Sequence, residues 1–206
     1  MYIPKHFAQT DQKLLVEVMC AHSFALLISA AANGEPFATH LPLIVREEDD
    51  QVMIEGHVAR GNPHSHYLEK NPRALIVFNG PHAYVSPSLY EDKESVPTWN
   101  YIAVHAYGHV TLVHGEAEKH AAQTRMIAAM DPAYQSQFDR LSAKYLQGMI
   151  NGIVAFEFTV ERLEAKFKLS QNRSMDDRRN VASALAAGGG EQRALASWMR
   201  RGFVDE

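Results

Sequence analysis

The chain has 206 residues, 46% of them apolar and 21% charged, a composition that suits one or two globular domains. Twenty Lys plus Arg against twenty-four Asp plus Glu leave a formal net charge of -4, so no overall basic excess points to duplex DNA or an anionic membrane. The single cysteine, Cys20, excludes an intrachain disulfide and a cysteine-only metal cluster and suits a reducing cytoplasm, while the opening MYIPKHFAQT lacks the apolar core of a secretory leader and no apolar run approaches about 18 residues.

In chain order, Thr10 precedes DQKLLVEVMCAH, in which Leu14, Leu15, Val18 and Met19 recur at helical spacing. This predicts a short amphipathic helix capped by Thr10. FALLISA predicts a strand, Asn33-Gly34 a turn with positive φ, and FATHLPLIV the returning strand, in which Pro42 needs an edge, a bulge or a missing ladder bond. REEDDQ closes a second hairpin against VMIEGHV. Asn62-Pro63 then opens a helix of one to two turns through HSHYLEK, because asparagine caps and proline in the first turn loses nothing.

RALIVFNG and HAYVS predict two more strands, and SPSLYEDKESVPTWN a long loop of the kind that carries function. YIAVHAYGHVTLVHG resumes β structure, with Gly108 marking a bulge or a close approach. Residues 116–130 predict a helix that stops at Asp131-Pro132 and resumes from Ala133 to Leu146, before the strand-like IVAFEFTVERLEAKFKLS. SMDDRRNVASALAAG, capped by Ser174, and EQRALASWMRR predict two final helices. The succession predicts a mainly β fold with peripheral α-helices, an antiparallel barrel of six or seven strands. It forms one domain over residues 1–206, with a helical insertion at about 116–147 and a helical tail at about 174–206.

Eleven histidines crowd this chain, several beside turns, but no HExxH, paired CxxC or carboxylate-spaced pattern accompanies them. No metal is expected. GHVARGNPHSH carries two readings of equal weight. Arg60 and the amides of the helix start build a phosphate or carboxylate pocket, or Arg60 forms an ordinary salt bridge beside a simple cap. THLPL sets Thr39 and the Leu41 backbone at the rim of the barrel, where the proline either frees backbone groups for a flat ring or merely marks a bulge.

Tyr84, Tyr90, Trp99 and Tyr101 surround the long loop, suited to stacking on a flat heterocycle or to flooring a dimer interface. KLSQNR gathers Lys168, Gln171, Asn172 and Arg173 directly after a strand, a donor cluster with no apolar use. No GxSxG elbow, GxGxxG fingerprint or GxxxxGK[ST] loop occurs, which removes the commonest acyl-transfer and nucleotide-loop readings.

The ordered motifs MYIPKHF, THLPL, GHVARGNPH, VFNGPHAYVSPSLY, VPTWNY, VHAYG, KLSQNR and DRRNV, covering about residues 1–185, resemble the PaiB family of FMN-binding negative transcriptional regulators of bacteria. The resemblance implies an FMN-binding split barrel, similar to pyridoxamine phosphate oxidases, and a homodimer with FMN at the subunit junction. It implies that Thr39, His40 and Leu41 face the flavin ring and that Ala59, Arg60, Asn62 and His64 receive the phosphate. Gly61 stands where related oxidases carry a lysine after the arginine. Trp99, Asn100 and Tyr101, with Gln171, Asn172 and Arg173, are implied at the ring edge or ribityl chain.

A regulatory role implies DNA as a partner, for which the sequence offers only weak support: no helix-turn-helix with a basic face, and local positive density only at Arg178, Arg179, Arg200 and Arg201. The alternative is a flavin-dependent oxidoreductase reducing a small substrate with a nicotinamide donor. No membrane association is expected.

Overall fold

The computed structural model describes residues 1–49 and 51–202. Its strands are β1 (Ala8–Gln9), β2 (Phe24–Ala30), β3 (Pro36–Pro42), β4 (Ile44–Glu48), β5 (Gln51–Ala59), β6 (Arg73–Val85), β7 (Thr98–Val113) and β8 (Ile153–Lys168). They form a mainly antiparallel sheet in the order β3-β2-β6-β7-β8-β5-β4, with the two-residue β1 added on β8. The main path thus has seven strands, and β1 makes the eighth. The helices are α1 (Gln12–Ala21), α2 (His64–Lys70), α3 (Glu116–Met130), α4 (Gln135–Phe138), α5 (Ala143–Asn151), α6 (Met175–Ala186) and α7 (Gly190–Arg201). The last four residues of the expected helical tail, 203–206, lie outside the described residues, as does Asp50 in the expected REEDDQ turn.

Local chemistry explains most boundaries. Asp11, not Thr10, caps α1, its Oδ1 accepting from the amides of Lys13 at 2.9 Å and Leu14 at 3.4 Å. In β2 the side chains alternate between buried and half-exposed, as a half-buried strand requires. Gly34 takes φ +83° in the β2–β3 turn, a region open to glycine at no steric cost. Pro42 is tolerated because β3 is an edge strand.

The expected break between RALIVFNG and HAYVS is absent. Gly80 and Pro81 sit inside β6, which pairs with β2 only over Leu75–Val77, so the amide that Pro81 lacks is not needed on that side. Gly108 marks a close approach, since a Cβ there would lie 2.0 Å from the Thr159 carbonyl oxygen. The insertion helices break more often than expected, with a 3₁₀ turn over Pro132–Tyr134 and the short α4 between α3 and α5.

The chain divides into two compact units. The first holds Met1–Val18, Asn79–Val104 and the described residues from Glu164 onward; the second holds Met19–Phe78 and His105–Leu163. In the first, α6 and α7 pack Val181, Leu185, Leu195 and Met199 with Ala83, Val85 and Tyr90. In the second, Leu27, Leu43, Ile54, Ile76 and Phe158 are fully buried, each worth about 1.5–3 kcal/mol of transfer free energy. There, too, Glu55 on β5 is 2% exposed and is held between Arg46 of β4 and Arg125 of α3, whose Nε lies 2.9 Å away. This ion triad ties α3 to its sheet.

Candidate functional site

The predicted ring-facing segment Thr39-His40-Leu41 is split by strand alternation. Leu41 is buried, whereas His40 projects outward and stacks on Phe24, with centroids 6.0 Å apart. Thr39 enters a buried polar network of the second unit. Asn62 Nδ2 donates to Thr39 Oγ1 at 3.2 Å, Thr39 Oγ1 lies 2.8 Å from His64 Nδ1, and His64 Nε2 lies 3.0 Å from Ser29 Oγ. One proton arrangement satisfies every member: the Thr39 hydroxyl donates to Nδ1, and Nε2–H donates to Ser29. Burial pushes the His64 pKa down to about 4, so the ring is neutral near neutrality. Both ring nitrogens are occupied. These contacts tie β2, β3 and the start of α2 together, and Ser29, which sequence reasoning missed, completes the network.

The expected phosphate turn has partners within the second unit as well. Arg60 Nε donates to the Asn151 carbonyl and Nη2 to that of Ile153 at 3.5 Å, while the Arg60 amide donates to Gly152 at 2.8 Å. The guanidinium thus covers the carbonyl end of α5, a position that favours a cation. The amides of the helix start are used as well. His64 N donates to Asn62 Oδ1 at 3.0 Å, Ser65 N to the Asn62 carbonyl at 3.3 Å and His66 N to the Pro63 carbonyl at 3.0 Å. Ala59, the last residue of β5, is exposed and pairs with Ile153. The arginine's partners lie some ninety residues along the chain, where no local pattern reveals them.

The first unit contains a more open arrangement. Alternation on β7 puts Trp99 and Tyr101 on one face and Asn100 on the other. Trp99, 51% exposed, lies 5.5 Å from the His82 ring and 6.3 Å, edge to face, from Tyr84. Trp99, Tyr101 and His82 line a cleft of about 530 Å³ with Asn79, Gly80 and Ile102. Gly80 is needed beneath it, because a Cβ there would lie 2.9 Å from the Ile102 Cβ. A solvent-open cleft with flat walls, an exposed amide and an imidazole suits a planar heteroaromatic ring carrying hydrogen-bonding edges. The volume is also in the range of small-molecule sites, about 300–1,000 Å³.

Asn100, expected at the ring edge or ribityl chain, is fully buried. Its Nδ2 donates to Ser170 Oγ at 2.8 Å and contacts Met199 Sδ at 3.7 Å. The KLSQNR segment is a braced turn. Gln171 accepts from the Leu169 amide at 2.7 Å and donates to the Phe167 carbonyl at 2.5 Å, and Ser170 sits at φ +65°. Arg173 stacks 4.1 Å above the Tyr90 ring, and Asn172 is exposed. Lys168 donates to Thr98 Oγ1, and its ammonium is pushed below the ordinary lysine range by burial and then by the charge of Lys166.

Of the four candidate DNA-contacting arginines, three are engaged within this unit. Arg201 forms a two-pronged pair with Glu17 at 2.8 and 3.0 Å, Arg179 pairs with Asp176 at 3.5 Å, and Arg178 donates to the Gly202 carbonyl at 3.0 Å. Arg200 is exposed. No helix among the described residues is long and apolar enough to cross a membrane.

With this geometry in place, the comparisons with known proteins agree in direction. The family model described as "Putative FMN-binding domain" matches residues 1–162. The chain is 39% identical over 188 residues to "Protease synthase and sporulation protein PAI 2" of Bacillus subtilis, covering 90% of this chain and 89% of that protein. Among solved structures it is similar to the flavocytochrome Anf3 from Azotobacter vinelandii, with a TM-score of 0.59 and 17% identity over 81% of this chain and 72% of that one. It is also similar to an FAD and heme binding protein from Mycobacterium smegmatis, with a TM-score of 0.58 and 14% identity over 87% and 78%. At those identities the likeness is one of fold, and the fold is the split barrel.

Proposed function

We propose that this chain, which belongs to the PaiB family of FMN-binding proteins, is a dimeric flavoprotein that regulates transcription, with the flavin ring received at the Trp99 cleft. The observation that carries the reading is the cleft itself, where Trp99, Tyr101 and His82 offer flat walls and Asn79 an amide. FMN supplies redox chemistry when bound. The protein's part is to stack on the ring, to meet its polar edge with the Asn79 amide and the His82 imidazole, and to leave one face open to solvent.

A dimer is supported by the second unit. There the outward face of β2 and β6 carries Phe24, 68% exposed, with the partly exposed Leu26, Ile28, Leu75 and Val77. A row of apolar side chains of this kind is the expected core of an interface. The regulatory reading draws on the Bacillus relative, whose name refers to protease synthesis and sporulation, and the single cysteine suits a cytoplasmic setting. Since the C-terminal arginines are mostly engaged, any DNA contact rests on Arg200 and on charge brought together by two chains.

The half-exposed Trp99 favours a second reading, an oxidoreductase passing electrons from a nicotinamide donor to a small substrate. The deciding experiment begins with the absorption spectrum of the purified protein and the mass of the chromophore released from it. FMN release together with duplex binding that weakens steeply with salt supports the regulator. Flavin bleaching by NADH or NADPH without duplex binding replaces it with the enzyme, and absence of any flavin affinity refutes both.

A further inference from the structure

We infer that the cavity between α7 and the end of β8, within the first unit, binds a small organic anion, a carboxylate carried on a single ring. The cavity encloses about 250 Å³. Leu14 of α1, Phe167 of β8 and Trp198 of α7 give it apolar walls. Phe167 meets the Trp198 ring edge to face, with centroids 5.6 Å apart and planes at 89°. Trp198 and Arg201, three residues apart, share one face of α7, and the Arg201 guanidinium lies 3.9 Å from the Trp198 ring centroid. Arg178 reaches the same cavity from α6 and donates to the Gly202 carbonyl at 3.0 Å. The two-residue β1, which pairs Gln9 with Ala165 of β8, brings the Gln9 side chain to the wall.

The charge of the lining selects the ligand. It carries two guanidiniums and no carboxylate, and Glu17, which pairs with Arg201, is not part of it. A guanidinium has five donors, and Glu17 takes one from each terminal nitrogen of Arg201, so the others can serve a second acceptor. Gln9 adds a neutral donor. Its Oε1 accepts from the amides of Thr10 at 2.8 Å and Asp11 at 2.9 Å, which fixes the group and leaves its NH₂ without an acceptor among the described residues. A planar carboxylate matches the arginine fork, and the rings of Phe167 and Trp198 suit a flat apolar body. The volume lies just below the range of drug-sized sites, about 300–1,000 Å³, which leaves room for one ring rather than for a flavin. No lining residue is shared with the Trp99 cleft, so the inference stands apart from the flavin reading. A ligand on Arg201 competes with Glu17 for that guanidinium and so couples occupation of the site to the contact between α1 and α7.

The test is calorimetric titration of the full chain with benzoate as the probe, beside benzamide, which keeps the ring without the charge, and acetate, which keeps the charge without the ring. Benzoate should bind saturably and about tenfold or more tightly than either, the scale of a charge-assisted hydrogen bond. In W99F, Trp198 is the sole tryptophan, and its fluorescence should follow the same binding curve. R178Q should weaken benzoate about tenfold while leaving benzamide unchanged. E17Q releases Arg201 from its partner and should tighten benzoate about threefold, the worth of an exposed ion pair. Lost packing alone does not tighten a ligand, and E17Q keeps the test decisive if R178Q does not fold. Absence of saturable benzoate binding, equal affinity for benzoate and benzamide, displacement of benzoate by orthophosphate, or wild-type affinity in both variants would overturn the inference.

Discussion

Lowering the pH should destabilise this chain through His64. The imidazole is fully buried between Thr39 and Ser29, and it ionises near 4 in the folded chain against 6.5 when unfolded. Above 6.5 neither state holds the proton and the stability is complete. Between 6.5 and 4 the unfolded chain binds the proton first, so stability falls with falling pH, and the loss is complete below about 4. The gap corresponds to about 3 kcal/mol. Burial also lowers His57 and His105, which act in the same direction. Urea unfolding at several pH values between 7.5 and 4, on wild type and H64Q, isolates the contribution, because the other titrating groups are common to both. The wild type should lose about 3 kcal/mol more than the variant across this window. Parallel pH profiles would refute the reasoning.

Three substitutions test other parts of the structure. Gly108→Ala must displace the Thr159 backbone, since its Cβ would lie 2.0 Å from that carbonyl oxygen, and should cost about 1–3 kcal/mol in chemical denaturation. Glu55→Gln removes the charge shared by Arg46 and Arg125 and should cost about 1.5–3 kcal/mol, with faster amide exchange in α3 as the local readout. Arg60→Ala should lower stability by about 0.5–1.5 kcal/mol through lost carbonyl bonds and leave the ratio of FMN to riboflavin affinity unchanged. A collapse of that ratio would return the phosphate to the Arg60 turn.

The fold was legible where the chain states it locally. The alternation in FALLISA, the glycine needed at Gly34, the close approach at Gly108 and the Ser174 cap, whose Oγ accepts from the Asp177 amide at 3.1 Å, all depend on short-range geometry. The cap of α1 was misplaced by one residue because Thr10 and Asp11 are both competent and only the backbone path selects between them.

The site was less legible, since its logic is long-range. Arg60, read with equal weight as an anion ligand or as a salt-bridge partner, donates to carbonyls of α5 and β8, and His64 sits between Ser29 and Thr39. Strand alternation already separates His40 from Thr39 in the strand read from FATHLPLIV, and it would have separated Asn100 from Trp99 had VPTWN been read as strand rather than as loop. Lys168 was visible as part of a donor cluster.

The central claim is that FMN stacks at Trp99. Calorimetric titration of the flavin-free protein with FMN, beside the same titration of Trp99→Ala, tests it most directly. The account predicts saturable binding by the wild type and a loss of about 0.5–1.5 kcal/mol, roughly two- to tenfold in Kd, when the ring is removed. An FMN affinity that is the same in both proteins would contradict the placement of the flavin in this cleft.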